Sequence, residues 1–151
     1  MRRAWRIVKE KHAASAFDGE GAWRYGGRWN SQGTRVVYAS GTKSLAALEN
    51  LVHLNPPVPF RYVVISIEFD DTLVEKFKLS DLPAEWTEEP PPPSTQVIGD
   101  QWVKEARSAV LELPSVIIRD EPNYLLNPAH SDFKNIILGT PEPFSFDPRL
   151  L

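Results

Sequence analysis

Phe60-Arg61-Tyr62-Val63-Val64-Ile65-Ser66-Ile67-Glu68-Phe69 is the stretch from which the fold is best read. Val63, Ile65, Ile67 and Phe69 fall on one side of it, and Tyr62, Val64, Ser66 and Glu68 on the other. A period of two is that of a β-strand, whose successive side chains point to opposite faces of a sheet. Upstream, Pro56 and Pro57 stop any helix that reaches them, because proline lacks an amide and crowds the preceding turn. Before them, Thr42 or Ser44 can cap a helix running to about Leu54. Arg35-Val36-Val37-Tyr38-Ala39-Ser40 predicts a strand leading into that helix, and Ala4 to Val8 predicts a first strand. Residues 9–33 show no period and hold five glycines, which predicts a long loop, a kind of segment that is often functional.

Downstream, Thr72 to Phe77 predicts a further strand. Glu88-Glu89-Pro90-Pro91-Pro92-Pro93 must be extended. Halves divided there would each be too small for a good core, so the segment is expected to be a surface connection within one domain of residues 1–151. Ser94 or Thr95 can cap a helix to about Ser108, with Ile98, Trp102, Val103 and Ala106 at helical spacing and Gly99 weakening its first turn. Ala109 to Leu113 and Val116 to Ile118 predict strand pieces, and Phe133 to Leu138 and Phe144 to Phe146 supply the last short elements. Strands outnumber helices without alternating regularly with them, so the expected class is α+β.

Composition narrows the chemistry. The chain has no cysteine, which excludes disulfides, a thiolate nucleophile and cysteine-ligated metal. Its three histidines are scattered, so no metal site is expected. Seventeen Lys and Arg against 20 Asp and Glu, with no basic tract, argue against direct nucleic-acid binding. No apolar run is long enough for a membrane span, and no apolar stretch follows the N-terminal arginines as in a secretory signal. A cytoplasmic protein is expected. G-x-G-x-x-G and Walker A patterns are absent, which removes the usual dinucleotide-fold and P-loop fingerprints.

Three residues stand out. Glu49 follows Leu45 by four and precedes Val52 by three, at the edge of a helical face formed by Leu45, Leu48 and Val52. It is there either as a partly desolvated carboxylate needing a partner or as a flank residue reaching solvent. Arg28 follows Gly26 and Gly27, whose backbone can approach a ligand closely, and a guanidinium suits a phosphate or ribose clamp. Equally, Arg28 could be a salt-bridge partner beside a core-filling Trp29. Tyr38 could stack on a flat heterocycle or simply pack in its strand.

The stretch Gly26-Gly27-Arg28-Trp29-Asn30, then Val37-Tyr38-Ala39, Leu45-Ala46-Ala47-Leu48-Glu49, Leu113-Pro114-Ser115 and Asn123-Tyr124-Leu125-Leu126-Asn127-Pro128, resembles the RES-domain family of bacterial toxins. The likeness runs from Trp5-Arg6 to His130. It implies an ADP-ribosyltransferase-like fold, with two small mixed β-sheets around an NAD⁺ cleft and flanking helices. It also implies Arg28, Glu49 and Ser115 as the name-giving residues, with Tyr38 as the site tyrosine. NAD⁺ would be a substrate, with no resident cofactor. Glu49 would stabilise an oxocarbenium-like ribose, and Arg28 would hold phosphate or ribose and keep Glu49 ionised. Tyr38 would stack on nicotinamide, while Ser115, Asn30 and Arg6 would add contacts to the dinucleotide. The implied partner is an Xre-type helix-turn-helix antitoxin that blocks the site. The apolar end Leu150-Leu151 and the proline stretch are compatible with a homodimer within that complex. Neither E-x-E nor Q-x-E occurs, which disfavours transfer to arginine and favours NAD⁺ breakdown by water or phosphate. Protein ADP-ribosylation, or a non-catalytic module built on an Arg28–Glu49 ion pair, are the alternatives.

Overall fold

The alternating stretch forms β3 (Tyr62–Phe69), and it pairs antiparallel along its whole length with β1 (Arg2–Lys9), from Arg2 opposite Phe69 to Lys9 opposite Tyr62. The structure is a computed structural model and describes residues 1–53 and 60–150. Its other strands are β2 (Val37–Ser40), β4 (Val74–Lys76), β5 (Val110–Pro114), β6 (Pro122–Leu126), β7 (Ile137–Leu138) and β8 (Glu142–Phe144). Among the described residues three α-helices accompany them: α1 (Glu20–Tyr25), α2 (Lys43–Leu51) and α3 (Pro93–Lys104). The class is α+β, as expected.

Instead of two separate sheets, the described strands form one, in the order β4-β5-β6-β2-β1-β3-β7, with β8 also on β3. The two expected halves are still visible. They meet where β1 and β2 share a single registered pair, Trp5 with Ser40.

Paired residues share a face, so register fixes what the helices cover. Ser40 stands opposite Asn123 and Tyr38 opposite Leu125, with Leu113 opposite Asn123 in turn. On this face Ala46 of α2 packs on Ile7, Tyr62 and Val64, while Trp102 of α3 packs on Leu111, Leu113 and Leu125. The other face carries Ala4, Val37, Ala39, Ile67, Phe69, Val110, Tyr124 and Leu126. Fully burying each large member of these clusters stabilises by about 1.5–3 kcal/mol. Between the two helices lie β2 and the start of β6.

Several local expectations change. Residues 9–33 contain a 3₁₀ segment, Glu10–Ser15, and α1; neither buries a residue, so neither leaves an apolar stripe in the sequence. Strand β6 escapes a pattern search for the opposite reason, since Tyr124, Leu125 and Leu126 are all buried and no alternation remains. Val116 to Ile118 form bends, not a strand. Helix α3 begins with Pro92 as cap and Pro93 in the first turn, where the missing amide costs nothing; Ser94 and Thr95 bond elsewhere. It ends at Lys104, and Ala106 takes a left-handed φ of 49°. The expected end of α2 at Leu54 and the stop at Pro56 and Pro57 lie outside the described residues, as does Leu151. No helix among the described residues is long and apolar enough to cross a membrane.

Candidate active site

Helix α2 starts where the Thr42 hydroxyl accepts the Leu45 amide at 3.0 Å, a normal N-cap. Its buried face is Leu45 and Ala46, and Val52 is 61% exposed. The expected face of Leu45, Leu48 and Val52 is thus turned toward Ala46 and Asn50, because the small Ala46 lets the helix settle on β1. The Asn50 amide secures that approach by donating to the Ile7 carbonyl at 3.3 Å. This phase leaves Glu49 half-buried at the helix edge, facing the sheet rather than bulk water.

There Glu49 Oε1 accepts two hydrogen bonds, from Ser115 Oγ at 2.7 Å and from Asn123 Nδ2 at 2.9 Å. Among the described residues Oε2 accepts none, and no Lys or Arg forms an ion pair with Glu49. One oxygen is pinned and the other is available.

Ser115 sits two residues beyond Leu113, just past the end of β5 and on the same alternating face. It is 0% exposed, and its hydroxyl donates to Glu49 while accepting the amides of Ile117 at 3.0 Å and Ile118 at 3.1 Å. A hydroxyl has one proton and two lone pairs, so Ser115 has no capacity left for a dinucleotide. Its hydroxyl is spent on Glu49 and the following turn, where a dinucleotide contact was expected. Ser115→Ala is expected to lose about 1–3 kcal/mol by removing the acceptor of two partly buried amides, read as a lower unfolding midpoint in urea at unchanged m-value.

Tyr38 and Ser40 stand two residues apart on β2, roughly 7 Å along the strand. Ser40 connects to Glu49 through Asn123, since its hydroxyl donates to Asn123 Oδ1 at 2.7 Å. Tyr38 connects to the glycine-rich loop, donating to Asn30 Oδ1 at 2.6 Å and accepting the Trp29 amide at 3.0 Å. Burial pushes its phenol pKa up, so the donated proton is retained. Gly27 is required at this point, because a Cβ there would lie 2.6 Å from the Tyr38 hydroxyl. Strand β2 therefore acts as the ruler between the Arg28 loop and Glu49.

Helix α3 holds the loop from its other side. Thr95 Oγ1 donates to the Arg28 carbonyl at 2.6 Å, Gln96 Nε2 to the Gly27 carbonyl at 3.1 Å, and Ser31 donates from both its amide and its hydroxyl to Asp100. Trp29 is buried and stacks on Trp86 with ring centres 6.2 Å apart.

The remaining expected residues divide. Asn30 is 0% exposed, and its amide nitrogen donates to the carbonyls of Ala22, Ser31 and Thr34. These bonds organise the loop, where a dinucleotide contact was expected. Arg6 donates to the carbonyls of Ala16 and Tyr38, both at 2.8 Å, bridging the opening where β1 and β2 part. Desolvation lowers its pKa to about 10, still charged at neutral pH, and no carboxylate pairs with it among the described residues. Arg28, its side chain 14% exposed, donates to the Trp86 carbonyl at 3.0 Å, the Glu88 carbonyl at 2.7 Å and the Glu89 carboxylate at 2.6 Å. The ion pair of Arg28 is with Glu89, so the Arg28–Glu49 pair of the non-catalytic alternative is not formed. Neither Glu89 nor Asn123 was foreseen at the site. The acidic run before the prolines and the lone amide ahead of Tyr-Leu-Leu were their only traces in sequence.

Comparison with known proteins places these residues in context. A sequence model of the RES domain matches residues 3–147. The "Toxin Res" of Yersinia enterocolitica is 37% identical over 148 residues, spanning 97% of each chain. The "Prs ADP-ribosylating toxin" of a Sphingobium species is 37% identical over 153 residues, spanning 97% of this chain and 95% of that one. Among solved structures, the Mycobacterium tuberculosis MbcT–MbcA toxin–antitoxin complex contains a chain that superposes with a TM-score of 0.78 at 14% identity, covering 95% of this chain and 84% of that chain. The overall fold is shared with that chain.

Proposed function

The chain belongs to the RES domain family, and from that premise we propose that it is the toxin of a toxin–antitoxin pair and breaks NAD⁺ at the nicotinamide–ribose bond. The observation that carries this reading is Glu49: a half-buried carboxylate with Oε1 held by two donors and Oε2 left open, on a face shared with Tyr38.

Cleavage of the C1′–N bond sends both bonding electrons onto nicotinamide, which leaves as a neutral base. Positive charge then develops over C1′ and the ring oxygen, and a fixed carboxylate next to it stabilises that charge more than it stabilises the ground state. Glu49 Oε2 is the group for this, also accepting from a ribose hydroxyl. Water or phosphate adds through oxygen at C1′ and loses a proton, giving ADP-ribose or its 1″-phosphate. Tyr38 would present its ring to nicotinamide. Arg6, without a carboxylate partner, would meet a phosphate. Arg28 would meet another once the Glu89 side chain, itself 68% exposed, gives way to the phosphate oxygens.

The name of the Sphingobium relative favours a second reading, transfer of ADP-ribose to a protein. The absence of E-x-E and Q-x-E favours a small acceptor. NAD⁺ labelled in its adenine separates the two. Catalytic release of free nicotinamide with label in ADP-ribose or its phosphate supports breakdown, and label retained on a protein supports transfer. No nicotinamide release under either condition overturns both. The superposition on a toxin–antitoxin complex supports an antitoxin partner, proposed here as an Xre-type protein that covers the cleft, with a homodimer of toxins in the assembly and the cytoplasm as its place of action.

A further inference from the structure

Asn123 is an amide where its neighbours call for an apolar side chain. On the same sheet face, Leu113 and Leu125 are buried under α3, and a leucine at 123 would extend that stripe. The chain instead keeps a polar group there, which is costly unless it is hydrogen-bonded. Its bonds are specific. Oδ1 accepts from Ser40 Oγ at 2.7 Å, and Nδ2 donates to Glu49 Oε1 at 2.9 Å.

The orientation of the amide follows from its neighbours. A carboxylate only accepts, so the NH₂ end must face Glu49, and Ser40, buried at 3% exposure, then has the carbonyl end to donate to. Asparagine is the side chain that accepts on one side and donates on the other at this reach. An aspartate would set carboxylate against carboxylate, and a serine would be too short for both. Register supports the arrangement, because Ser40 and Asn123 are directly paired across β2 and β6, and the Gly41 amide locks the next step by donating to the Pro122 carbonyl at 3.0 Å.

From this we propose that Asn123, set by Ser40, is a positioning residue for the reaction. Together with Ser115 it loads both protein hydrogen bonds onto Oε1 of Glu49, so that Oε2 is the oxygen presented to the ribose. The proposal rests on the cleavage of NAD⁺ assigned above. It separates binding from turnover. On this proposal Asn123 acts through Glu49, so its loss lets the Glu49 carboxylate rotate without removing a substrate contact. Misplacement by about 1 Å at a reacting centre costs up to ~100-fold in rate.

The test uses purified full-length chain, NAD⁺ and the variants Asn123→Ala, Asn123→Asp and Ser40→Ala. Asn123→Ala is expected to lower kcat for nicotinamide release roughly ten- to a hundredfold with KM within about threefold. Asn123→Asp, of nearly equal volume, falls further because its charge repels Glu49, and Ser40→Ala falls least. Thermal midpoints within a few degrees of the parent protein separate this pattern from unfolding. An Asn123→Ala protein with parental kcat, or one whose loss matches its unfolded fraction, overturns the proposal. If the parent chain itself releases no nicotinamide, the assigned reaction fails, and crystal structures decide the positioning role alone. One Glu49 rotamer in the parent and several in Asn123→Ala support it; the same single rotamer in both overturns it.

Discussion

Glu49→Gln is expected to reduce nicotinamide release by on the order of 10²–10³-fold and to leave the thermal midpoint within a few degrees of the parent. Glutamine has nearly the shape of glutamate, and its carbonyl oxygen can still accept from Ser115 and Asn123, which both bond to Oε1. The NH₂ group then takes the place of Oε2, where the structure shows no protein partner among the described residues. The fold therefore loses no hydrogen bond, while the reaction loses a negative charge beside C1′. Because Arg28 pairs with Glu89 and not with Glu49, no cation is stranded by the change. That point discriminates between the functional classes. A module held together by an Arg28–Glu49 ion pair would lose stability in Glu49→Gln, and here stability is expected to hold while turnover collapses. Initial-rate measurement of nicotinamide at saturating NAD⁺, alongside a melt, checks both halves. Retention of more than a tenth of the parental rate would remove Glu49 from the reaction.

How much of this could be read from the sequence depended on whether an element buries one face, both or neither. Strand β3 alternates, and α2 carries its Thr42 cap three residues before Leu45, so both are visible in the residues themselves. Strand β6 is buried on both faces and reads as a plain apolar run, although it carries Asn123 into the site. Helix α1 buries nothing and leaves no periodic trace. The edge position of Glu49 followed from helical phase, even though that phase was turned away from Val52. The partners of Arg28 did not follow from anything local, since Trp86, Glu88 and Glu89 lie about 60 positions further along and are brought back by the stacking of Trp86 on Trp29. Asn30 and Ser115 were placed at the site by family likeness. Their hydrogen bonds to the loop and to the carboxylate depend on residues brought in from the fold and left no separate trace in the sequence.

Gly99 raises a question that helix propensity alone answers wrongly. It lies in the interior of α3, where alanine is intrinsically better by about 1 kcal/mol, so Gly99→Ala looks like a stabilising change. In the folded protein a Cβ at position 99 would run into the carbonyl oxygen of Trp29, with the Leu125 side chain 3.1 Å away on another side. The obstacle is backbone, in a loop fixed by Tyr38, Thr95, Gln96 and Asp100, so it cannot turn aside as a side chain would. Relief requires α3 and the loop to separate, and overpacking of this kind typically costs 1–3 kcal/mol or more. The clash outweighs the propensity gain. For a chain of this size, a net loss of about 1–2 kcal/mol lowers the thermal midpoint by roughly 2–8 °C. Gly21→Ala is the matched control, because Gly21 lies in exposed α1 with nothing within 4 Å of a built Cβ. There the midpoint is expected to stay level or rise slightly. Opposite signs in the two melts would establish that α3 is seated directly on the backbone next to Arg28. If Gly99→Ala melted like Gly21→Ala, the close approach of helix and loop would be refuted, and with it the rigid placement of Arg28.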